Sequence, residues 1–367
     1  MRKPILLSIS GQIIAGTCQT LISTVSKMKK LNNPTLEDVA RAANVSTATI
    51  SRSINTPDKV ATSTRDRIQN VIRELGYTPN SGGRMLASNR SNIVGAVIPT
   101  MANAMFASGL QSFQEELSDS GVTMLVASTG YDGKHELRQI RSLLSRGADG
   151  LLLIGASRPP ESSRFLAIRQ VPYVVSWCYK SDPNLLFAGF DNHKAAYRMT
   201  MEVLNIGHRQ IAMIGGISEG NDRAGNRIDG VKCAISESGN NAKLINLIET
   251  DYSQENGGNA FEQIMKAPET PTVIICGNDV LAAGAIVRAR QLGIAIPQQV
   301  SITGFDDIGI ARAVYPSLTT VRVPQQEMGR SAARLLLDLL FKEGSPSSME
   351  FETEIVHRES LAPPFKA

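Results

Sequence analysis

Apolar positions along this chain change their period once the first third is passed. From Pro34 to Asn55 they fall at helical spacing. Leu36, Val39, Ala40 and Ala43 share one face, and Ile50 and Ile54 follow at i, i+4. A third helical pattern runs to Leu75, with Ile68, Val71, Ile72 and Leu75 inward. From Ile93 onward short continuous apolar runs alternate with helical stretches. The runs are IVGAVIP, VTMLVAS, GLLLIG, YVVSW, LLFAGF, QIAMIGG, LINLIE, TVIICG and VSITGF. Helical patterns such as ASGLQSFQEELSDSG, HELRQIRSLLSRG, HKAAYRMTMEVLNIG, RIDGVKCAISESG and DVLAAGAIVRARQLG lie between them. Gly121, Gly147, Gly207, Gly239 and Gly293 stand where helices should stop. Continuous apolar strands joined by helices predict parallel sheets covered on both faces, and the length accommodates two such lobes.

The first helices carry the most specific signal. Thr35 is placed to cap the first, with Asp38 three residues on. Ala40 and Ala43 are small enough for a second helix to approach closely. Asn44-Val45-Ser46 makes the turn, Val45 fills the angle and Ser46 caps TATISRSIN. The third helix is expected to be capped by Thr62 or Ser63. Thr47, Ala48, Thr49, Ser51 and Arg52 are left outward, as on a helix that enters a major groove by its N-terminal end. The plain alternative is an ordinary three-helix bundle. The polar segment SGGRMLASNRSN that follows, leading directly into a buried strand, counts against it.

Charge adds little by itself. The net charge is +4. Between Pro34 and Asn92 there are 8 Arg and Lys against 5 acids. Phosphate contacts would therefore come partly from backbone N–H and hydroxyl groups. The 4 cysteines are far apart and form no CxxC pair, which argues against zinc or a disulfide framework and fits a reducing cytoplasm. His135, His193, His208 and His357 are scattered, and no nucleophile elbow, P-loop or metal motif appears, so an enzyme is disfavoured.

The chain resembles the lactose-repressor (LacI/GalR) family of bacterial transcriptional regulators. The matching segments are TLEDVARAANVSTATISRSIN, VATSTRDRIQNVIRELGYTPN, the linker with Leu86-Ala87, GHRQIAMIGG, DRAGNRIDGV, ICGNDVLAAGAI, VSITGFDD and PSLTTVRVPQQEMGRSAARLLL. The resemblance runs from Thr35 to Pro363, and its order is what makes it specific. It implies a helix-turn-helix DNA-binding domain at residues 34–79 and a hinge helix or linker at 80–91. An effector-binding and dimerisation core of two α/β lobes, periplasmic-binding-protein-like, then spans 92–362. Residues 1–33 are an extension. The segment before Met28 is expected to be a mis-assigned start or a disordered arm, because its apolar run is too short to span a membrane.

The family's pattern also implies roles. Thr47, Ala48 and Thr49 would face bases, with Arg52 on a guanine or a phosphate. Thr35, Ser46, Ser51, Tyr77 and Asn80 would position the DNA backbone. Leu86 matches the leucine that wedges into the minor groove. Gly82-Gly83 in the hinge disfavours helix, so the hinge is expected to fold only on DNA. Positions matching Phe106, Arg227, Tyr252 and Asp279 contact the effector in relatives. Strand-end placement adds Asn103, Trp177 and Arg223. Many relatives have Asp where this chain has Trp177. Arg223 one turn from Arg227 points to a sugar or sugar acid. A palindromic operator calls for a homodimer, and the absence of C-terminal heptads favours it over a tetramer. A solute-binding transport protein would fit the core and leave the head unexplained. No cofactor and no membrane partner are expected.

Overall fold

The computed structural model describes residues 33–78, 90–239, 241–342 and 344–365. Contacts divide the chain into two units, residues 1–89 and 90–367. Asn80, Leu86 and the extension before Asn33 lie outside the described residues.

In the first unit, α1 (Leu36–Ala43) begins with a reciprocal cap. Thr35 Oγ1 accepts from the Asp38 amide, and Asp38 Oδ2 accepts from the Thr35 amide at 2.9 Å. Asn44 ends it in the left-handed region at φ 50°, which asparagine tolerates. α2 (Thr47–Asn55) is capped by Ser46, whose Oγ accepts from the Thr49 amide at 3.1 Å. Val39, Ala40, Ala43, Ile50 and Ile68 form the buried centre, with Val45, Ile54 and Tyr77 packed against it. α3 (Thr62–Leu75) departs from expectation at both ends. Its cap is Ala61, which offers no side-chain oxygen, and Leu75 is 40% exposed. Gly76 at φ 64° turns the chain out of the helix, so Leu75 sits on the last fraying turn.

The second unit holds two six-stranded sheets. The first contains β1 (Ile93–Ile98), β2 (Thr123–Ser128), β3 (Gly150–Ile154), β4 (Tyr173–Ser176), β5 (Leu186–Gly189) and β11 (Met349–Glu350), in the order β11-β5-β4-β3-β1-β2. The second contains β6 (Gln210–Gly216), β7 (Lys243–Thr250), β8 (Val273–Cys276), β9 (Ser301–Asp306), β10 (Thr319–Arg322) and β12 (Glu354–Val356), in the order β12-β10-β9-β8-β6-β7. Pairing is parallel except between β10 and β12. The nine apolar runs read from sequence are β1 to β9. The three further strands are four residues or fewer and lie toward one edge of each sheet, where the apolar signal is short.

The chain passes between lobes three times. After β5, Phe190 and Asp191 lead into a helix (Asn192–Asn205) that packs on the helix Asp222–Glu237. After β10, Val323 and Pro324 lead back to the helix Gln325–Phe341, which lies on Ala104–Asp119 and on β3, β4 and β5. The third passage joins β11 to β12. Gly109 and Gly329 meet where the two long helices cross, and neither has room for a Cβ. Among the described residues no helix is long and apolar enough to cross a membrane, and no cluster of His, Cys, Asp and Glu could hold a metal.

Candidate effector cleft and DNA-reading face

The carboxyl ends of the strands in both lobes converge on one cleft, the position at which open α/β sheets take ligands. From the first lobe come Asn103 and Phe106, at the start of Ala104–Asp119, and Tyr131 beyond β2. The second lobe supplies Asn221, Arg223, Arg227, Tyr252, Asn278 and Asp306. These residues surround a central gap of about 10 Å³. Two larger chambers open beside it, of about 330 and 390 Å³, and Tyr131 borders all three. Its ring lies 5.7 Å from that of Tyr252 in the facing lobe.

Arg227 is the most tightly held group. Its Nε donates to Asn192 Oδ1 at 2.9 Å, Nη1 to the Gly277 carbonyl at 2.6 Å, and Nη2 reaches Asp306 Oδ1 at 3.4 Å. The guanidinium carbon stands 3.6 Å over the Phe305 ring, a cation–π contact in a desolvated place. Asn192 in turn donates to the Trp177 carbonyl at 2.9 Å. One amide thus ties a strand end of the first lobe to the arginine of the second. Gln325 Nε2 donates to the Asp306 carbonyl at 2.9 Å, so two of the interlobe passages reach this site.

Asp306 is buried, and its backbone is left-handed at φ 109°. Its Oδ2 has no partner. Burial pushes the carboxyl up to about 6, while Arg227 and then Arg223 pull it down. Its neighbour Asp307 is different. It is held by Arg322 Nε at 2.8 Å and Arg358 Nη2 at 2.5 Å and serves the turn.

Not every expected side chain reaches the cleft. Asp279 turns into its own lobe. Its Oδ2 accepts from the Ile308 amide at 2.8 Å and its Oδ1 from Thr320 Oγ1 at 2.5 Å. Both oxygens are committed, and burial holds its carboxyl well above the usual range. The residue before it, Asn278, borders the gap, and Asp306 is the acid there. Trp177 is fully buried behind the cleft wall, edge-on to Phe106 at 5.5 Å, and its indole Nε1 has no partner. It supports Phe106 instead of facing the gap. Asn103 lines the gap and also caps its helix, accepting from the Met105 amide at 3.0 Å. Arg223 is buried, with Nη1 3.3 Å from Asp222 Oδ1. Asp222 Oδ2 accepts from the Ala156 amide of the first lobe at 2.7 Å.

Sequence reasoning missed Tyr131 and Asn192. Tyr131 stands just past a strand, in the run TGYDG, and the strand-end rule applied to β2 as it was to β1 picks it out. Asn192 bears no local signal, since its role depends on contacts with residues 15 and 35 positions away in sequence.

On the head, Ser46, Thr47, Ala48, Ser51 and Arg52 are exposed on α2, and Thr49 is half-buried. Thr35 is exposed, with its hydroxyl donating to Asp38 Oδ2 at 2.7 Å. Tyr77 is half-buried against the head's core.

A helical head that presents the start of its second helix, joined to a two-lobed core with a polar cleft, defines a ligand-responsive DNA-binding regulator. Comparison with known proteins places it more closely. A model of the bacterial regulatory proteins of the lacI family matches residues 35–80, and one of the periplasmic binding protein-like domain matches residues 201–361. The HTH-type transcriptional repressor PurR of Shigella dysenteriae is 31% identical over 331 residues, covering 89% of this chain and 97% of its own. A LacI-family transcriptional regulator from Silicibacter pomeroyi superposes with a TM-score of 0.82 at 25% identity, over 90% of this chain and 99% of its own. The transcriptional regulator CelR in complex with cellobiose superposes with a TM-score of 0.66 at 28% identity, over 89% and 99%. The chain belongs to the LacI family, and is a DNA-binding transcriptional regulator controlled by a small molecule.

Proposed function

We propose that this protein is a cytoplasmic repressor that binds a palindromic operator as a homodimer, and that its effector is a sugar or sugar acid held in the cleft. The observation that carries the effector reading is the buried pair Arg227 and Asp306, with one carboxylate oxygen of Asp306 unpartnered at the gap. A fixed fork of donors beside a free acceptor matches vicinal hydroxyls, which both donate and accept. Phe106 and Tyr252 offer ring faces to the C–H side of a sugar. Arg223 supplies a second cation at the same wall, as a carboxylate-bearing effector needs.

Control follows from position. An effector that touches Arg227, Asp306 and Phe106 binds best at one lobe angle, and it shifts the population toward that angle by its differential affinity and no more. Asn192 and Gln325 sit on the interlobe passages and hold the same groups. In a dimer, a change of lobe angle alters the spacing of the two heads and so the fit to two half-sites.

Isothermal titration calorimetry of the full chain against glucose, galactose, gluconate and glucuronate tests the effector class. Binding of at least one, abolished in Arg227→Ala, is expected. Binding of neutral sugars alone removes the acid from the proposal. Binding of none contradicts the carbohydrate reading.

A further inference from the structure

The chamber of about 330 Å³ lies on the first-lobe side of Tyr131. None of the residues expected to bind effector borders it except Arg223. Its volume alone falls within the range of small-molecule sites, roughly 300–1,000 Å³. Two of its walls carry a buried ion pair, Glu136 and Arg158, whose side chains are 14% and 4% exposed.

That pair is incompletely satisfied. Glu136 Oε1 and Arg158 Nε stand 3.5 Å apart, and neither atom has a hydrogen-bond partner. Arg158 is oriented by other contacts, with Nη2 donating to the Gly155 carbonyl at 2.7 Å and its guanidinium near the Tyr173 ring. Among the described residues eight buried side-chain N and O atoms lack partners, and four of them, on Glu136, Arg158, Asn221 and Asp306, belong to residues bordering the central gap or this chamber. Buried polar atoms are otherwise almost always paired, so such a concentration marks the path of a polar guest. The remaining wall, with Val97, Ile98, Pro99 and Pro159, is apolar.

We infer that the effector has two polyhydroxylated units, and that the second lies beyond Tyr131, hydrogen-bonded by Glu136 and Arg158. This rests on the carbohydrate reading proposed above. Glu136 accepts and Arg158 donates, and their charges cancel, so the unit they hold is a neutral one carrying hydroxyls. The apolar wall and the Tyr131 ring suit the C–H face of a sugar ring. The pair therefore sets how long an effector the cleft takes, while Arg227 and Asp306 grip its first unit.

The test titrates the full chain with glucose, galactose and gluconate, and with maltose, lactose, cellobiose and sucrose. It then repeats the titrations with Glu136→Gln and Arg158→Lys, each checked for native circular dichroism. The inference expects one disaccharide to bind at least tenfold more tightly than any monosaccharide. Each folded variant should lose at least tenfold for that disaccharide and less than twofold for its monosaccharide. If a monosaccharide or gluconate binds as tightly as any disaccharide, the inference is overturned and the carbohydrate reading stands. The same follows if folded Glu136→Gln keeps full disaccharide affinity, whether or not Arg158→Lys folds. If the wild-type chain binds no member of the panel, the carbohydrate reading falls and takes the inference with it.

Discussion

Asp306 carries an unusual burden for a single side chain. Its folded carboxyl titrates near 6, above the roughly 3.9 of an unfolded aspartate. Between those values the native state binds the proton that the unfolded chain has released. Stability from this group is therefore present at low pH and is lost as pH rises through 6. A shift of about two units corresponds to roughly 3 kcal/mol. We predict that the stability of the wild type minus that of Asp306→Asn grows as pH falls from 7 to 5, measured by urea unfolding at each pH. A difference that is flat or shrinks would contradict the burial of this group. Effector affinity should fall over the same interval in the wild type, since the ionised oxygen accepts the ligand's hydroxyl, and should not in the variant. Asn192 makes the second residue-scale prediction. Asn192→Ala leaves the Arg227 Nε without its acceptor, at about 1–3 kcal/mol for a buried unsatisfied group. Calorimetry should show effector affinity reduced about tenfold or more. Unchanged affinity would mean that Arg227 is held well enough by Gly277 and Phe305 alone.

Among the elements, the head depends on very few buried side chains. Val39, Ala40, Ala43, Ile50 and Ile68 are its buried centre. Ile50→Ala should cost about 2–5 kcal/mol, which a unit this small can scarcely absorb. The expected result is loss of DNA binding in a gel-shift assay with effector binding intact by calorimetry. Retained DNA binding would show that the head tolerates the cavity. Elements also show where the sequence was legible. The head's two caps and nine strands could be read because each depends on neighbours in sequence. The helix Gln254–Met265 was passed over because Gly257 and Gly258 interrupt it. Those glycines let its backbone meet that of Asp279–Gln291, with Gly257 against Leu281 and Gly284 against Gln254. The composition that disfavours a helix locally is what its packing requires. Asp279 was misplaced for a related reason. A polar residue after a strand can turn toward the cleft or back into the lobe, and only the position of Thr320, 41 residues later, decides which.

At the scale of the molecule, one chain joins a head that reads DNA to a core that holds a ligand. The linker between them includes Gly82 and Gly83, and each glycine costs about 1 kcal/mol relative to alanine in a helix. If the linker becomes helical on the operator, replacing both by alanine should tighten operator binding severalfold in a fluorescence-anisotropy titration. Weaker or unchanged binding would count against a helical hinge. The central claim, that this is an operator-specific regulator acting as a symmetric pair, is tested most directly by selection. The purified full chain is incubated with random-sequence duplexes at moderate salt, and the bound fraction is sequenced. The account predicts a palindrome with a central CG-like step at which the paired hinge leucines enter. Recovery of duplexes with no shared sequence, from folded protein with and without the sugars that bind it, would contradict it.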